Sequence, residues 1–302
     1  MSHEADSVKS IFFALGANFA IALAKLAAAV FTGSGAMMAE SIHSLADCGN
    51  QVLLLVGIRH AKKPPSPEYP LGYGKAIYFW SFIVALILFS MGGLYSVYEG
   101  LHKLHNPESI SSPLVAIGVL VFSMAAEGTS LWGCLREVNK LRGDQSLFKW
   151  FRETRQSDLL VVFGEDTAAL LGLTLAFIAV VLTWFTADPM WDALGSIGIG
   201  FLLMLVALFV GSKIKDLLIG QGVDPATRKQ MRQFLNDRPE ILTLYSLLTL
   251  QMGNDVMVAI KAQMTEKESA TALIDAINAC EAALREAFPQ VTWLFFEPDN
   301  HD

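Results

Sequence analysis

Charge is what this chain has least of. Only 17% of its 302 residues are Asp, Glu, Lys or Arg, against 53% hydrophobic, where a soluble domain of this size carries about a quarter charged. Basic residues are scarcer than acidic ones, 22 against 29, for a formal net charge of -7. No basic run or stripe of interleaved basic and aromatic residues is present, which sets nucleic acid aside. Cysteine is equally sparse. Cys48, Cys134 and Cys280 are scattered with no CxxC pair, which argues against a disulfide framework or thiolate metal site; all three read as small buried apolar residues. There is no HExxH, the helical zinc-enzyme signature. The opening residues, MSHEADSVKS, lack the basic start and small-residue cleavage site of a secretory signal. The first apolar run is therefore expected to be retained.

What is present in quantity is long apolar sequence. A membrane-spanning helix needs about 20 mostly apolar residues, and six segments qualify: 11–31, 36–58, 77–99, 112–135, 158–185 and 191–212. The breaks between them carry turn chemistry. TGSG (32–35) is a tight turn, and the prolines of KKPPSPEYPLGYG (62–74), HNPESISSP (105–113) and TADPM (186–190) stop a helix by removing a donor and clashing with the preceding turn. Lys and Arg crowd two connections, 59–77 (Arg59, Lys62, Lys63, Lys75) and 136–157 (Arg136, Lys140, Arg142, Lys149, Arg152, Arg155), while the opposite connections carry only Lys103. The positive-inside rule then puts both basic loops and both termini on the cytoplasmic side, or on its topological equivalent in an organelle.

After Lys213 the pattern becomes that of a small soluble domain. PATRKQMRQFLND (225–237) is an amphipathic helix opened by Asp224 and Pro225. Strands are expected at 242–252 and 256–264 around a GND turn, then a helix at 269–288 and a third strand at 291–298. The expected architecture is an α-helical membrane protein with six transmembrane helices and a C-terminal cytosolic α+β domain of order α-β-β-α-β. Its divisions are an N-terminal cytosolic tail (1–10), a membrane domain (11–212) and the cytosolic domain (213–302). Two helices covering one face of the sheet is the economical packing.

Polar residues inside the spans point to function. ESIHSLAD (40–47) puts Glu40, His43 and Asp47 in the second span, with His43 and Asp47 one turn apart on one helix face. The fifth span holds Glu165 and Asp166 about two turns from its cytoplasmic end, a depth comparable to Asp47 at about 1.5 Å per residue. An isolated carboxylate at the bilayer centre costs about 3 kcal/mol, so such groups pair, line water or hold an ion. Lys25 is the one internal cation expected to compete. A surplus of carboxylates beside one imidazole suits a divalent cation, with His43, Asp47 and Asp166 as candidate ligands. Glu40 is open to two readings, a partner of the ligands or a residue of the outer vestibule. Glu127, in MAAEGTSLW, is open to three: proton carrier, partner of Lys25, or ligand. Asn18 reads as a helix–helix hydrogen bond.

The six spans, GSGAMMAESIHSLAD in the second, GYGKA before the third and the terminal α+β domain together resemble the cation diffusion facilitator family, from about residue 10 to the end. The resemblance implies export of a divalent transition metal, mostly zinc, in exchange for protons. It also implies a homodimer in contact through the cytosolic domains and membrane helices, with no resident cofactor and no enzymatic reaction. A bacterial inner (plasma) membrane is the expected location. The family's fifth-span H-x-x-x-D is altered: Asp166 holds the Asp position, Val162 the His position, and Glu165 stands beside Asp166. This is similar to the branch with an adjacent Glu–Asp pair, the zinc transporter 9 group. Adjacent helical residues point about 100° apart, so Glu165 either completes the metal shell or carries a proton.

Histidines that the family often places in the loop before GYGK and in the cytosolic strands are missing: the loop reads PSPEYPLGYGK, with Glu68 and Tyr69. Glu297, Asp299, His301 and Asp302 read as a frayed acidic tail, and the cytosolic domain as a device that holds the dimer. Nitrogen and oxygen ligands put zinc first and leave manganese, iron and cobalt open. The competing classes are a membrane-embedded metalloenzyme, with Glu165 as base, and a metal sensor.

Overall fold

The structure, a computed structural model, describes the backbone of residues 2–301 and the side chains of residues 15–301 except Ala17. Six long helices come first. They are α1 (Ser2–Thr32), α2 (Gly35–Ala61), a third assembled from α3 (Ala76–Ile87), a π-helical stretch (Leu88–Leu94) and α4 (Tyr95–His105), then α5 (Pro113–Arg142), α7 (Ser157–Thr186) and α8 (Met190–Ile219). A short helix, α6 (Leu147–Glu153), interrupts the second basic connection. Residues 2–10, expected as a tail, are helical backbone continuous with α1.

Among the described residues four helices are long and apolar enough to cross a membrane: Ala76–His105, Pro113–Arg142, Ser157–Thr186 and Met190–Ile219. Within the described residues of α1 the apolar stretch is Asn18–Thr32, and most side chains that precede it in the 11–31 segment lie outside them. At 27 residues α2 has the length, but it spends its interior on Glu40, Ser41, His43, Ser44 and Asn50, all buried.

The chain divides into two compact units, one formed by residues 1–56, 80–144 and 158–212, the other by 57–79, 145–157 and 213–302. The first is the helical unit. Its core joins Ala28 of α1, Met37 of α2, Leu88 of the π stretch, Leu120 of α5, Leu173 of α7 and Leu203 of α8. Small residues bring the backbones close: a methyl group on Gly200 would lie 2.7 Å from the carbonyl oxygen of Gly93. Both glycines of the sequence LFSMGGL lie in the π-helical stretch, the usual kind of place for such a widening.

The turn between α1 and α2 is tied down with unusual density. Gly33 adopts φ +71° and ends α1, as a left-handed glycine does at a helix C-terminus. Asp192, in the first turn of α8, accepts hydrogen bonds from Ser34 Oγ (2.5 Å), Gly35 N (2.5 Å) and Ala36 N (3.3 Å). It thus caps α2 from another helix. Lys103 of α4 completes the knot, with its Nζ 3.8 Å from Asp192 Oδ2 and donating to the Gly33 carbonyl. Lys103 is therefore a buried, paired residue on a helix, where the sequence placed it in an outer loop. Lys25 is not alone as an internal cation.

The second unit holds the α-β-β-α-β domain: α9 (Pro225–Asn236), β1 (Ile241–Met252), β2 (Asp255–Met264), α10 (Ala270–Ala287) and β3 (Val291–Pro298). Asp224 accepts from Ala226 N and Thr227 N, both at 3.0 Å, and Pro225 takes the first turn of α9. The β1–β2 hairpin is antiparallel, turning at Gly253 (φ +73°), and β3 joins β2 in parallel. Met231 and Leu235 of α9 and Cys280 and Leu284 of α10 share one core with inward residues of the strands.

Residues 57–79 belong to this unit too. The Tyr78 hydroxyl accepts from Gly253 N (2.9 Å), and Gly74 lies so close to Met252 that no Cβ fits between them. The tail is tied down at Asp299 and Asn300, while the His301 side chain stays 86% exposed. Asp299 N donates to the Ala262 carbonyl, Lys261 pairs with Asp299 at 3.1 Å, and the Tyr245 hydroxyl donates to the Asn300 carbonyl at 2.9 Å. The Lys261 ammonium holds the Asp299 carboxyl below the usual carboxylate range. Asp302 lies outside the described residues. Cys48, Cys134 and Cys280 are free and buried, as expected.

Candidate cation site

Glu40, His43, Asp47 and Asn50 recur along α2. Steps of three, four and three keep them on one stripe of the helix. Glu40, His43 and Asn50 are fully buried, and the Asp47 side chain is 18% exposed. Asp47 opens onto an interior cavity of about 60 Å³. Gln51 from α2, Glu127 and Ser130 from α5, and Glu165 and Asp166 from α7 share its wall, with Asn18 and Ile21 of α1 closing one side. At about 15 Å³ for each water-sized occupant, the cavity holds about four. That suits an ion with a few oxygen ligands and is far below the several hundred Å³ that an organic substrate needs.

The acids are held in defined poses. Asn50 Nδ2 donates to Glu165 Oε1 at 2.6 Å, and Ser130 Oγ donates to Asp166 Oδ2 at 3.1 Å. Although adjacent on α7, Glu165 and Asp166 both reach the cavity. Val162, in the position where the resemblance expects histidine, also lines it.

His43 does not line the cavity. Its Nδ1 is 3.5 Å from Asp47 Oδ1, and neither ring nitrogen has a hydrogen-bond partner, nor does Asp47 Oδ1. Buried polar atoms are paired in the great majority of cases, so this corner of the bundle is under-satisfied by protein groups alone. The acids are not drawn into a ready-made cage: among the described residues no three His, Cys, Asp or Glu side chains are arranged to hold a metal ion.

Glu40 lies elsewhere. It pairs with Lys25, Nζ to Oε2 3.6 Å, and the same ammonium is 3.7 Å from Glu127 Oε1 and donates to Ser44 Oγ at 2.7 Å. Of the three roles open for Glu127, the partnership with Lys25 is thus present, and Glu127 borders the cavity as well. Sequence reasoning passed over Asn50, Gln51 and Ser130. The signal for Asn50 was available: it continues the stripe one turn beyond Asp47.

A bundle of long apolar helices that folds acidic residues around a small interior chamber defines an integral membrane protein of the cation-handling class. The family model describing a cation efflux transmembrane domain matches residues 11–219, and the chain belongs to that family. It is 34% identical over 234 residues, 76% of its length, to the human mitochondrial proton-coupled zinc antiporter SLC30A9, and 35% identical over 231 residues to the Xenopus laevis protein of the same name. Metal tolerance protein C4 of Arabidopsis thaliana is 29% identical over 83% of the chain, and a Salmonella cation-efflux pump, FieF, 23% identical over 89%. The chain spans 41% of the length of the human and Xenopus antiporters, 55% of the Arabidopsis protein and 85% of the Salmonella pump.

Proposed function

We propose that this protein exports a divalent transition-metal cation, zinc first, in exchange for protons. The observation that carries the reading is the cavity: Asp47, Glu165 and Asp166 from two helices around a space sized for a partly hydrated ion. Carboxylates with one imidazole nearby bind zinc, manganese, iron or cobalt, and the lack of thiolate disfavours copper(I). Ligands that take a metal must shed protons, so protons and metal compete for the same groups and a proton gradient can drive release. Asp47 and Asp166 are proposed as ligands, Glu165 as a third held by Asn50, and His43 as a fourth reached by a small shift of α2. Glu127 borders the path.

All six long helices are proposed to cross the membrane, with α2 sheltered by its neighbours, and the basic connections and both termini on the cytoplasmic side. The working unit is proposed to be a homodimer in contact through the cytosolic domain and membrane helices. The relatives named as zinc antiporters and as a cation-efflux pump support metal export. Of the two locations in view, mitochondrial for the antiporter relatives and a bacterial inner membrane, the latter is proposed. Alternating access would carry the site from one side to the other by rocking of the helices.

The test is a competition flux assay in proteoliposomes of the full chain, with zinc, manganese, iron and cobalt offered together. Zinc uptake that the other ions inhibit by competition supports the reading. Vesicles that accumulate none of the four under an imposed pH gradient would exclude it.

A further inference from the structure

Glu40 and Asp47 are seven residues apart on α2, about two turns or roughly 10 Å. Glu40 lies toward Gly35, the N-terminal end of α2. Its carboxylate meets α7 at Gly172, where a Cβ would collide with Oε1. Gly172 is six residues beyond Asp166, about 9 Å. The same displacement along two helices defines a second acidic station, set between the cavity and the Gly35 end. Glu127 belongs to both, since it lines the cavity and faces Lys25.

The occupant of this station is Lys25. The residue is fully buried, reaches in from α1 and sits 3.6 and 3.7 Å from the two acids. Those separations are longer than hydrogen bonds, and its one short bond goes to the neutral Ser44 Oγ. Both oxygens of Glu40 are buried with no hydrogen bond. The ammonium is thus centred between acids as a cation in a pocket, not locked to one carboxylate. A compact point charge on a flexible stem suits that role better than a planar guanidinium.

Resting on the export reading above, we propose that Lys25 is a tethered surrogate cation. Its ammonium fills the acidic station made by Glu40 and Glu127, on the outward side of the cargo cavity. It thereby holds each chain to one divalent ion and keeps the departing ion from being captured on the way out. Without it, the buried Glu40 and the partly exposed Glu127 stand uncompensated on the path, and a divalent ion is their natural counter-charge. Lys25 is a positioning residue: it acts on the cargo through Glu127 and touches no cargo ligand.

The test uses the full chain in detergent, for Zn²⁺ stoichiometry, and in proteoliposomes, for zinc flux. Wild type and Lys25→Arg bind one Zn²⁺ per chain. Lys25→Gln binds two, with turnover at least tenfold lower and half-saturating zinc lower as well. Lys25→Gln combined with Glu40→Gln removes charge and partner together, and returns to one ion with turnover within about threefold of wild type. One ion and unchanged kinetics in Lys25→Gln would overturn the proposal. If that variant does not assemble, the double variant decides: one ion and restored flux support the proposal, while an assembled but inactive double variant refutes it. Wild type that binds no Zn²⁺ removes the export reading instead, so the two failures are distinguishable.

Discussion

Asp192 offers the most direct quantitative test of how the helical unit is held. Replacing it with Ala removes an acceptor for Ser34 Oγ, Gly35 N and Ala36 N and leaves Lys103 facing no carboxylate. Loss of an N-terminal cap costs about 1 kcal/mol. Stranding one partner of a buried ion pair costs about 3–5 kcal/mol. Lys103 keeps its bond to the Gly33 carbonyl, so the lower end applies and the sum is about 4 kcal/mol. Lys103→Met leaves the cap intact; Asp192 keeps its three hydrogen bonds to the α2 turn, which offset most of the cost of the stranded carboxylate, and the loss should be about 1 kcal/mol. With Asp192→Ala and Lys103→Met together no charge is stranded, and only the cap and some packing are lost, about 2 kcal/mol. The double-mutant cycle should therefore show a coupling of about 3 kcal/mol, read by reversible unfolding in mixed detergent micelles. A cost below about 1 kcal/mol for Asp192→Ala, or additive single mutants, would refute the account of this knot.

Four further outcomes follow from the same contacts. Asp47→Ala and Asp166→Ala should each abolish zinc flux while the protein still purifies as assembled material; normal transport by both would mean the site is misplaced. Val162→His should shift selectivity toward zinc over manganese, because it adds an imidazole to a wall of oxygens, and unchanged selectivity would count against Val162 facing the ion. Burial pushes the Cys280 thiol above its ordinary range, so alkylation at pH 8 should be slow in the folded protein and fast after denaturation; rapid native labelling would contradict the packing of α10. The Asp299 carboxyl is held low by Lys261, so the tail contact should be complete above the ordinary aspartate range and lost only as pH falls through the depressed value. Amide exchange of Asp299 that rises already between pH 7 and 5 would argue against it.

The elements of the C-terminal α-β-β-α-β domain were legible because each carries its own local signal. Asp-Pro opens α9, Gly253 turns the hairpin, and strand formers alternate along β2. The acid cluster was legible for a different reason: the bilayer makes Asp47, Glu165 and Asp166 conspicuous wherever they occur in an apolar run. What stayed hidden depends on distant partners. Lys103 follows the last strongly apolar stretch and looks like a loop residue; Asp192, 89 residues away, and the Gly33 carbonyl make it an interior one. The docking of the tail depends on Lys261 and Tyr245 across the sheet, which composition does not reveal. Glu40 and His43 share a helix face with Asp47, yet the structure gives one to Lys25 and keeps the other behind Asp47. That division comes from Lys25 on α1 and Gly172 on α7, neither of which α2 can announce.

The proposed exchange of a metal ion for protons at the carboxylates of α2 and α7 is decided by recording both fluxes at once in vesicles with an acid lumen, using a pH dye inside and a zinc dye beside it. Zinc should enter as the lumen turns alkaline in wild type, and neither signal should move with Asp47 and Asp166 both changed to Ala. Zinc entry without any proton movement, or equal signals from the double variant, would contradict it.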